Sequence, residues 1–254
     1  MKKISILGSG WLGLDLAKEL KKSYFIKFST RSKDKYDLLK KDFDMYLFDM
    51  KNLDDRFFDS DILIINIPSK DIEIYKKIAD KIKQNNISKV IFVSSTAVYK
   101  NTNGIVKEDD AIFLANNIWL DIENIFLEIE QIQTIVLRFA GLIGYDRNIV
   151  RHFQYKEVKN SKAPVNMIHK DDCISIIKNL IDVDVDTGIF NCCASSHPSK
   201  EEFYTYSAIK SGYNIPKFDE KKESYKIIDN TKLIKRLGYR YIHDDLLTID
   251  FKKV

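Results

Sequence analysis

Cysteine is scarce: only Cys173, Cys192 and Cys193 occur among 254 residues. Three are too few, and too poorly spaced, for a disulfide framework or a four-ligand zinc site. Neighbouring strand residues point to opposite faces, so Cys192 and Cys193 cannot converge on one ion. No metal is expected, and reduced thiols suit the cytoplasm. Glycine (nine) and proline (four) are also sparse. There is no linker rich in glycine, proline and serine and no internal repeat, so any domain boundary is diffuse. Charge of one sign is lacking too, since 41 basic residues face 37 acidic ones for a net +4. Without an arginine-rich block interleaved with aromatics, this small excess is a solvated surface and not a nucleic-acid footprint. No apolar run approaches the ~20 residues of a membrane span. The longest, such as Ile62-Leu63-Ile64-Ile65, have strand length. Met1-Lys2-Lys3 and the apolar run behind it imitate a signal peptide only until Gly8-Ser9-Gly10 interrupts them.

What is present builds a core: 44% hydrophobic and 31% charged residues. Ile4-Ser5-Ile6-Leu7 runs into Gly8-Ser9-Gly10-Trp11-Leu12-Gly13, and Leu14 to Leu20 continues at helical spacing. Strand, tight turn and helix form the context in which G-x-G-x-x-G binds a dinucleotide. Gly8 permits the turn, Gly10 lets the backbone approach a pyrophosphate, and Gly13 lets helix and strand pack closely.

Strand patterns recur at Lys3–Leu7, Tyr24–Ser29, Met45–Phe48, Ile62–Ile67, Val90–Ser94 and Thr134–Phe139. Helical patterns fall at Trp11–Lys22, Lys35–Lys41, Asp71–Gln84 and Phe113–Glu130, then Asp171–Ile181, Lys200–Ser211 and Thr231–Leu237, with a further strand at Gly188–Cys193. The alternation predicts an α/β fold, a doubly wound parallel sheet of Rossmann type with a small C-terminal α/β cap. Residues 1–145 form the dinucleotide domain. Residues 146–254 contribute to the sheet and to a substrate-side cap. The apolar face of the helix at 113–130 (Ile118, Trp119, Ile122, Ile125, Phe126, Ile129) either packs on the sheet or pairs two copies, so the chain is a monomer or a homodimer.

A ribose-reading acid is expected about 20 residues beyond the glycines, yet no Asp or Glu occurs from Leu20 through Lys33. The second strand ends in Ser29-Thr30-Arg31-Ser32-Lys33 instead. A carboxylate repels a 2′-phosphate, whereas a guanidinium forks onto one. Thr30 and Arg31 therefore point to NADP, with NAD the alternative.

Val93-Ser94-Ser95-Thr96-Ala97-Val98-Tyr99, Leu137-Arg138-Phe139-Ala140-Gly141-Leu142-Ile143-Gly144 and Asn166-Met167-Ile168-His169-Lys170-Asp171-Asp172 follow in the order and spacing of one family. Over nearly its whole length the chain resembles the extended short-chain dehydrogenase/reductases, the family of nucleotide-sugar epimerases and dehydratases, in an atypical bacterial branch. The resemblance implies that Trp11 and Leu12 cover the pyrophosphate, Asp49 and Met50 lie by the adenine, and Ile67, Pro68 and Ser94 line the cofactor cleft. It implies a catalytic role for Ser95 and substrate contacts from Thr96, Gly141, Asn166 and His169. Gly141 departs from the pattern, because members that bind nucleotide sugars usually carry Asn there.

The family's Tyr-x-x-x-Lys pair belongs on the helix after the fifth strand. Registered on Glu123, Trp119 falls at the Lys position and Ala115 at the Tyr position, and neither transfers a proton. Tyr36/Lys40, Tyr155/Lys159, Tyr206/Lys210 and Tyr213/Lys217 match the spacing on other segments, as coincidence provides in a lysine-rich chain with 13 tyrosines. Tyr99, four residues past Ser95, and His169 are the candidate stand-ins, with Tyr99 preferred; the alternatives are that Tyr99 packs at the mouth of the cleft with its hydroxyl in water and that His169 organises a loop or caps the helix after it. Three functions compete. The first is an NADP-dependent oxidoreductase or epimerase acting on a small polar substrate. The second is a non-catalytic NADP sensor. The third is a hydroxyacid dehydrogenase, which Gly8–Gly13 followed by Asn66-Ile67-Pro68 also resembles.

Overall fold

A computed structural model describes residues 1–48, 53–110 and 112–251. The chain runs β1 (Lys3–Leu7), α1 (Trp11–Leu20), β2 (Phe25–Thr30), α2 (Lys33–Leu39), β3 (Asp44–Leu47), α3 (Asp55–Phe58), β4 (Ile62–Ile65), α4 (Ile72–Gln84) and β5 (Lys89–Ser95). It continues β6 (Ile105–Val106), α5 (Ile118–Leu127), β7 (Gln133–Phe139), β8 (Gly141–Ile143), β9 (Glu157–Val158), β10 (Met167–His169) and α6 (Lys170–Asp182). It ends β11 (Gly188–Cys192), α7 (Lys200–Ser211), β12 (Lys217–Phe218), β13 (Ile227–Ile228) and α8 (Thr231–Leu237).

Seven strands form one sheet in the order β11-β7-β5-β4-β1-β2-β3. Its inner registers are parallel, Ile4 facing Ile26 on one side and Ile62 on the other. Strand β4 is buried at every residue, as a strand covered on both faces must be. This is the doubly wound Rossmann-like sheet that the alternation of elements predicts.

The described chain divides into two compact units, each assembled from three stretches. Unit 1 comprises Met1–Ser95, Asn116–Leu137 and Ile176–Ile189; unit 2 comprises Thr96–Ala115, Arg138–Ser175 and Phe190–Val254. The chain passes between the units at the end of β5, between residues 115 and 116, and inside β7, α6 and β11. Each unit has its own core. In unit 1, Tyr75, Phe92 and Phe126 meet edge-on or tilted, with centroids 5.3–6.0 Å apart, among the side chains of α4, α5 and the central strands. In unit 2, Val150, Val158, Phe203, Leu246 and Phe251 pack together.

Helix α5 begins at Ile118, five residues later than the apolar pattern suggests. The Asn117 side chain caps it by accepting the Trp119 N–H at 3.1 Å, while Phe113 forms a β-bridge with Tyr99. Among the described residues no helix is long and apolar enough to cross a membrane.

Candidate functional site

In unit 1 the tight turn after β1 obeys its glycines. Gly8 sits at φ +113°, and a Cβ there would lie 2.3 Å from the Asn66 carbonyl oxygen. A Cβ on Gly13 would lie 2.0 Å from the Gly8 carbonyl oxygen. Gly10 is different: a Cβ there meets nothing within 4 Å, so the space above this backbone is open to a ligand. Gly10 is also the N-cap of α1, which has neither a side-chain cap nor an acidic residue in its first turn. A helix start of this kind, with its N–H groups directed outward and no acid beside them, is compatible with an anion.

A cavity of about 360 Å³ opens here, lined by Gly8 and Gly10, by the end of β2 and by Asn66 to Ser69. Its described lining carries five hydroxyl residues (Ser9, Ser29, Thr30, Ser32 and Ser69), two cations (Arg31 and Lys35) and no carboxylate. Ser29 Oγ accepts the Gly8 N–H at 3.2 Å, tying the glycine turn to β2. Thr30 Oγ1 accepts the Ser32 N–H, and Ser32 Oγ in turn accepts the Lys35 N–H as the cap of α2. Lys35 Nζ donates to the Ser9 carbonyl at 3.2 Å. The exposed Arg31 side chain makes no hydrogen bond or ion pair among the described residues. These residues fit a dinucleotide's phosphates: an open backbone, a helix start without a side-chain cap and, among the described lining residues, two cations and no acid. Ile67 and Pro68 supply an apolar wall.

Several expected residues are placed differently. Leu12 is 3% exposed, because α1 turns Leu12, Leu16 and Leu20 to one buried face; it does not line the cavity. Trp11, half-exposed, is also absent from that lining. Asp49 and Met50 lie outside the described residues. Ser94 is buried, its Oγ donating to Glu123 Oε1 at 2.5 Å, which anchors α5 to β5. Ser95, half-buried, closes β5.

Unit 2 holds the remaining expected residues, and most of their polar atoms are occupied. Tyr99 is 1% exposed and not at the mouth of a cleft. Arg138 Nη1 donates to its hydroxyl at 2.6 Å, and that hydroxyl donates to Asn191 Oδ1 at 2.8 Å. The guanidinium also lies over the Tyr99 and Phe113 rings, 4.9 and 5.2 Å from their centroids. Burial pushes the Tyr99 phenol up to about 12 even beside this cation, far from a working base. Asn191 N donates to buried Glu108 at 2.7 Å, which extends the chain of polar contacts.

Asn166, expected among the substrate contacts, clamps the backbone instead. Its Nδ2 donates to the Lys226 carbonyl and its Oδ1 accepts the Ile228 N–H, both at 2.9 Å. Gly141 pairs with Met167 in the β8–β10 ladder, where a Cβ would meet Met167 Sδ at 2.5 Å. Thr96 and His169 are buried. Desolvation, aided by neighbouring His243, holds the His169 imidazole down to about 4. The three cysteines are buried thiols without disulfide partners, pushed up in pKa by desolvation.

Sequence reasoning passed over Lys35, Ser9, Asn66, Arg138 and Lys226. Lys226 Nζ donates to the Thr96 and Tyr99 carbonyls at 2.9 and 2.7 Å, and burial pushes its pKa down. Lys35 carries a local signal as the third residue after the Ser32 cap, while Ser9, Asn66 and Arg138 lie inside segments quoted above without a role of their own.

No protein-family model matches the chain. It is a homologue, along its full length, of protein YeeZ of Escherichia coli strain K12: 29% identical over 271 aligned positions that cover 98% of this chain and 99% of YeeZ. Among solved structures, its fold is similar to that of UDP-N-acetylglucosamine 4-epimerase from Bacillus cereus (TM-score 0.81, 18% identity, 100% of this chain and 95% of that one). It is also similar to UDP-glucuronic acid 4-epimerase from Bacillus cereus in complex with NAD (TM-score 0.79, 16% identity, 98% and 94%).

Proposed function

We propose that this YeeZ homologue binds a nicotinamide dinucleotide in the unit 1 cavity, NADP in preference to NAD, and acts with it as an oxidoreductase or epimerase on a small polar substrate. One observation carries the reading: the described lining offers two cations and five hydroxyls with no carboxylate. Arg31 forks onto the 2′-phosphate, with Thr30 and Ser32 beside it; a carboxylate at this point would repel the same group. The first turn of α1 and the bare backbone of Gly10 receive the pyrophosphate. When bound, the dinucleotide supplies hydride transfer. The chain's own residues bind it, orient it and leave the proton to be moved by another group.

Proton transfer needs a group of its own. Helix α5 reads Ile118-Trp119-Leu120-Asp121-Ile122-Glu123-Asn124-Ile125-Phe126-Leu127 and contains neither Tyr nor Lys. Glu123, tied to Ser94, supports the register that sets Trp119 and Ala115 at the relay positions. On this reading the Tyr-x-x-x-Lys relay is absent, and Ser95 supplies a hydroxyl at the end of β5. General acid–base catalysis contributes about 10²–10⁴-fold, so turnover of ordinary nucleotide sugars such as UDP-glucose is expected to be slower by that factor.

The confinement of Tyr99 by Arg138 and Asn191 favours a second reading, a non-catalytic NADP sensor. Equilibrium titration with NADPH and NADH tests the cofactor, and a screen for substrate-dependent NADPH turnover tests the chemistry. Tighter NADPH binding with turnover supports the enzyme; tighter binding with no turnover on any substrate supports the sensor. Equal affinities, or an NADH preference, would remove the NADP assignment.

A further inference from the structure

We infer that His169, Asp171 and His243 of unit 2 form a site for one divalent transition-metal ion, with zinc the best match to the donor set. Asp171 Oδ2 lies 3.5 Å from His169 Nδ1 and 3.2 Å from His243 Nε2. All three donor atoms lie within 4.8 Å of one another. A tetrahedral ion bound at roughly 2.0–2.2 Å holds its ligand atoms about 3.3–3.5 Å apart. Two edges of that tetrahedron are therefore already in place, and a rotation of the half-buried His243 ring closes the third. Two imidazoles and one carboxylate leave a fourth position for water, and the set suits zinc better than magnesium or calcium, which take oxygen ligands.

The proton inventory points the same way. The Asp171 backbone N–H donates to His169 Nδ1 at 3.2 Å, which puts a lone pair on Nδ1 and the ring proton on Nε2. Nε2 is buried and, among the described residues, has no hydrogen-bond partner. Nδ1 also lies 3.5 Å from Asp171 Oδ2, with no proton between the two atoms. A cation between the two would take the Nδ1 lone pair in place of the 3.2 Å N–H contact and be held by both atoms. The surroundings deliver the other ligands. Tyr145 Oη donates to Asp171 Oδ2 at 2.6 Å and orients the carboxylate. Asp172 accepts the N–H groups of Ile242 and His243 and the Tyr239 hydroxyl, holding the 239–243 segment so that His243 reaches Asp171. The ion would cross-link that late segment to the junction of β10 and α6.

Tag-free protein stripped with a chelator and titrated with zinc alone should bind one equivalent and gain thermal stability. X-ray absorption of the zinc-loaded wild type should show two imidazole ligands, a readout that needs no variant to fold. His243→Ala should weaken binding by more than about 100-fold, the upper end for loss of a partner behind a ligand, and Tyr145→Phe by about 10- to 100-fold. His152→Ala should leave binding unchanged. Failure of the wild type to bind an equivalent of zinc, fewer than two imidazoles on the ion, or sensitivity to His152→Ala equal to that of His243→Ala would each overturn the site.

Discussion

The cavity of unit 1 and the polar interior of unit 2 use similar side chains to opposite ends. At the cavity, Arg31 is exposed and makes no hydrogen bond or ion pair among the described residues, and the Gly10 backbone is bare. In unit 2, Arg138 is 1% exposed and commits Nη1 to Tyr99, while Asn191 and Asn166 spend their amides on neighbouring groups. An arginine left open at a cavity keeps its five donors available to a ligand. One enclosed among aromatic rings is a structural member, costly to remove because its partners stay buried. The contrast teaches that a motif's polar residues must be sorted by what they already hold before any role is assigned to them.

The sharpest way to break the contrast is Arg138→Ala. It should lower the unfolding free energy by about 3–5 kcal/mol, the range for large buried side chains cut to alanine, as read by urea denaturation. Dinucleotide affinity of the folded fraction should not change. A nearly neutral effect on stability would contradict the structural role.

Arg31→Ala is the converse. It should cost about 10- to 100-fold in NADP affinity, equivalent to the 1.5–3 kcal/mol of a hydrogen bond to a charged group, with NAD affinity and urea midpoint unchanged. Matching losses for both dinucleotides would place Arg31 on the shared part of the ligand.

Tyr99→Phe refines the interior side. It leaves a guanidinium N–H and the Asn191 carbonyl oxygen unpaired, a loss of about 1–3 kcal/mol. If a substrate is found, turnover per folded molecule should survive. Its collapse at unaltered stability would return Tyr99 to catalysis.

The smallest effect is one of pH. Desolvation holds the His197 imidazole below its ordinary value, although its Nδ1 donates to the Val165 carbonyl at 3.1 Å. The folded state thus favours the neutral ring. This contribution is complete above the unfolded value of about 6.5 and is lost as pH falls through that value toward the depressed one. Melting curves recorded with chelator from neutral to mildly acid pH should fall more steeply for wild type than for His197→Asn. Parallel curves would show that the ring's burial carries no linkage.

The elements were legible where their signals are local. Helices Lys200–Ser211 and Thr231–Leu237 fall where their patterns predict them, the first opened by the Ser199/Glu202 capping box and both closed by glycines with positive φ. The glycine turn, Arg31 and the absence of acid before Lys33 were legible for the same reason. The expected helix start at 113 failed because a run of apolar residues cannot show that Phe113 is claimed by Tyr99.

By itself the sequence determined the alternation of strands and helices, the glycine turn and the charge around it, because each depends on residues within a few positions of one another. Tertiary structure alone decided that Tyr99 lies sealed against Arg138, 39 residues away, and that His243 reaches Asp171 across 72. Burial and the choice of hydrogen-bond partner belong to contacts between distant segments, and no local period records them.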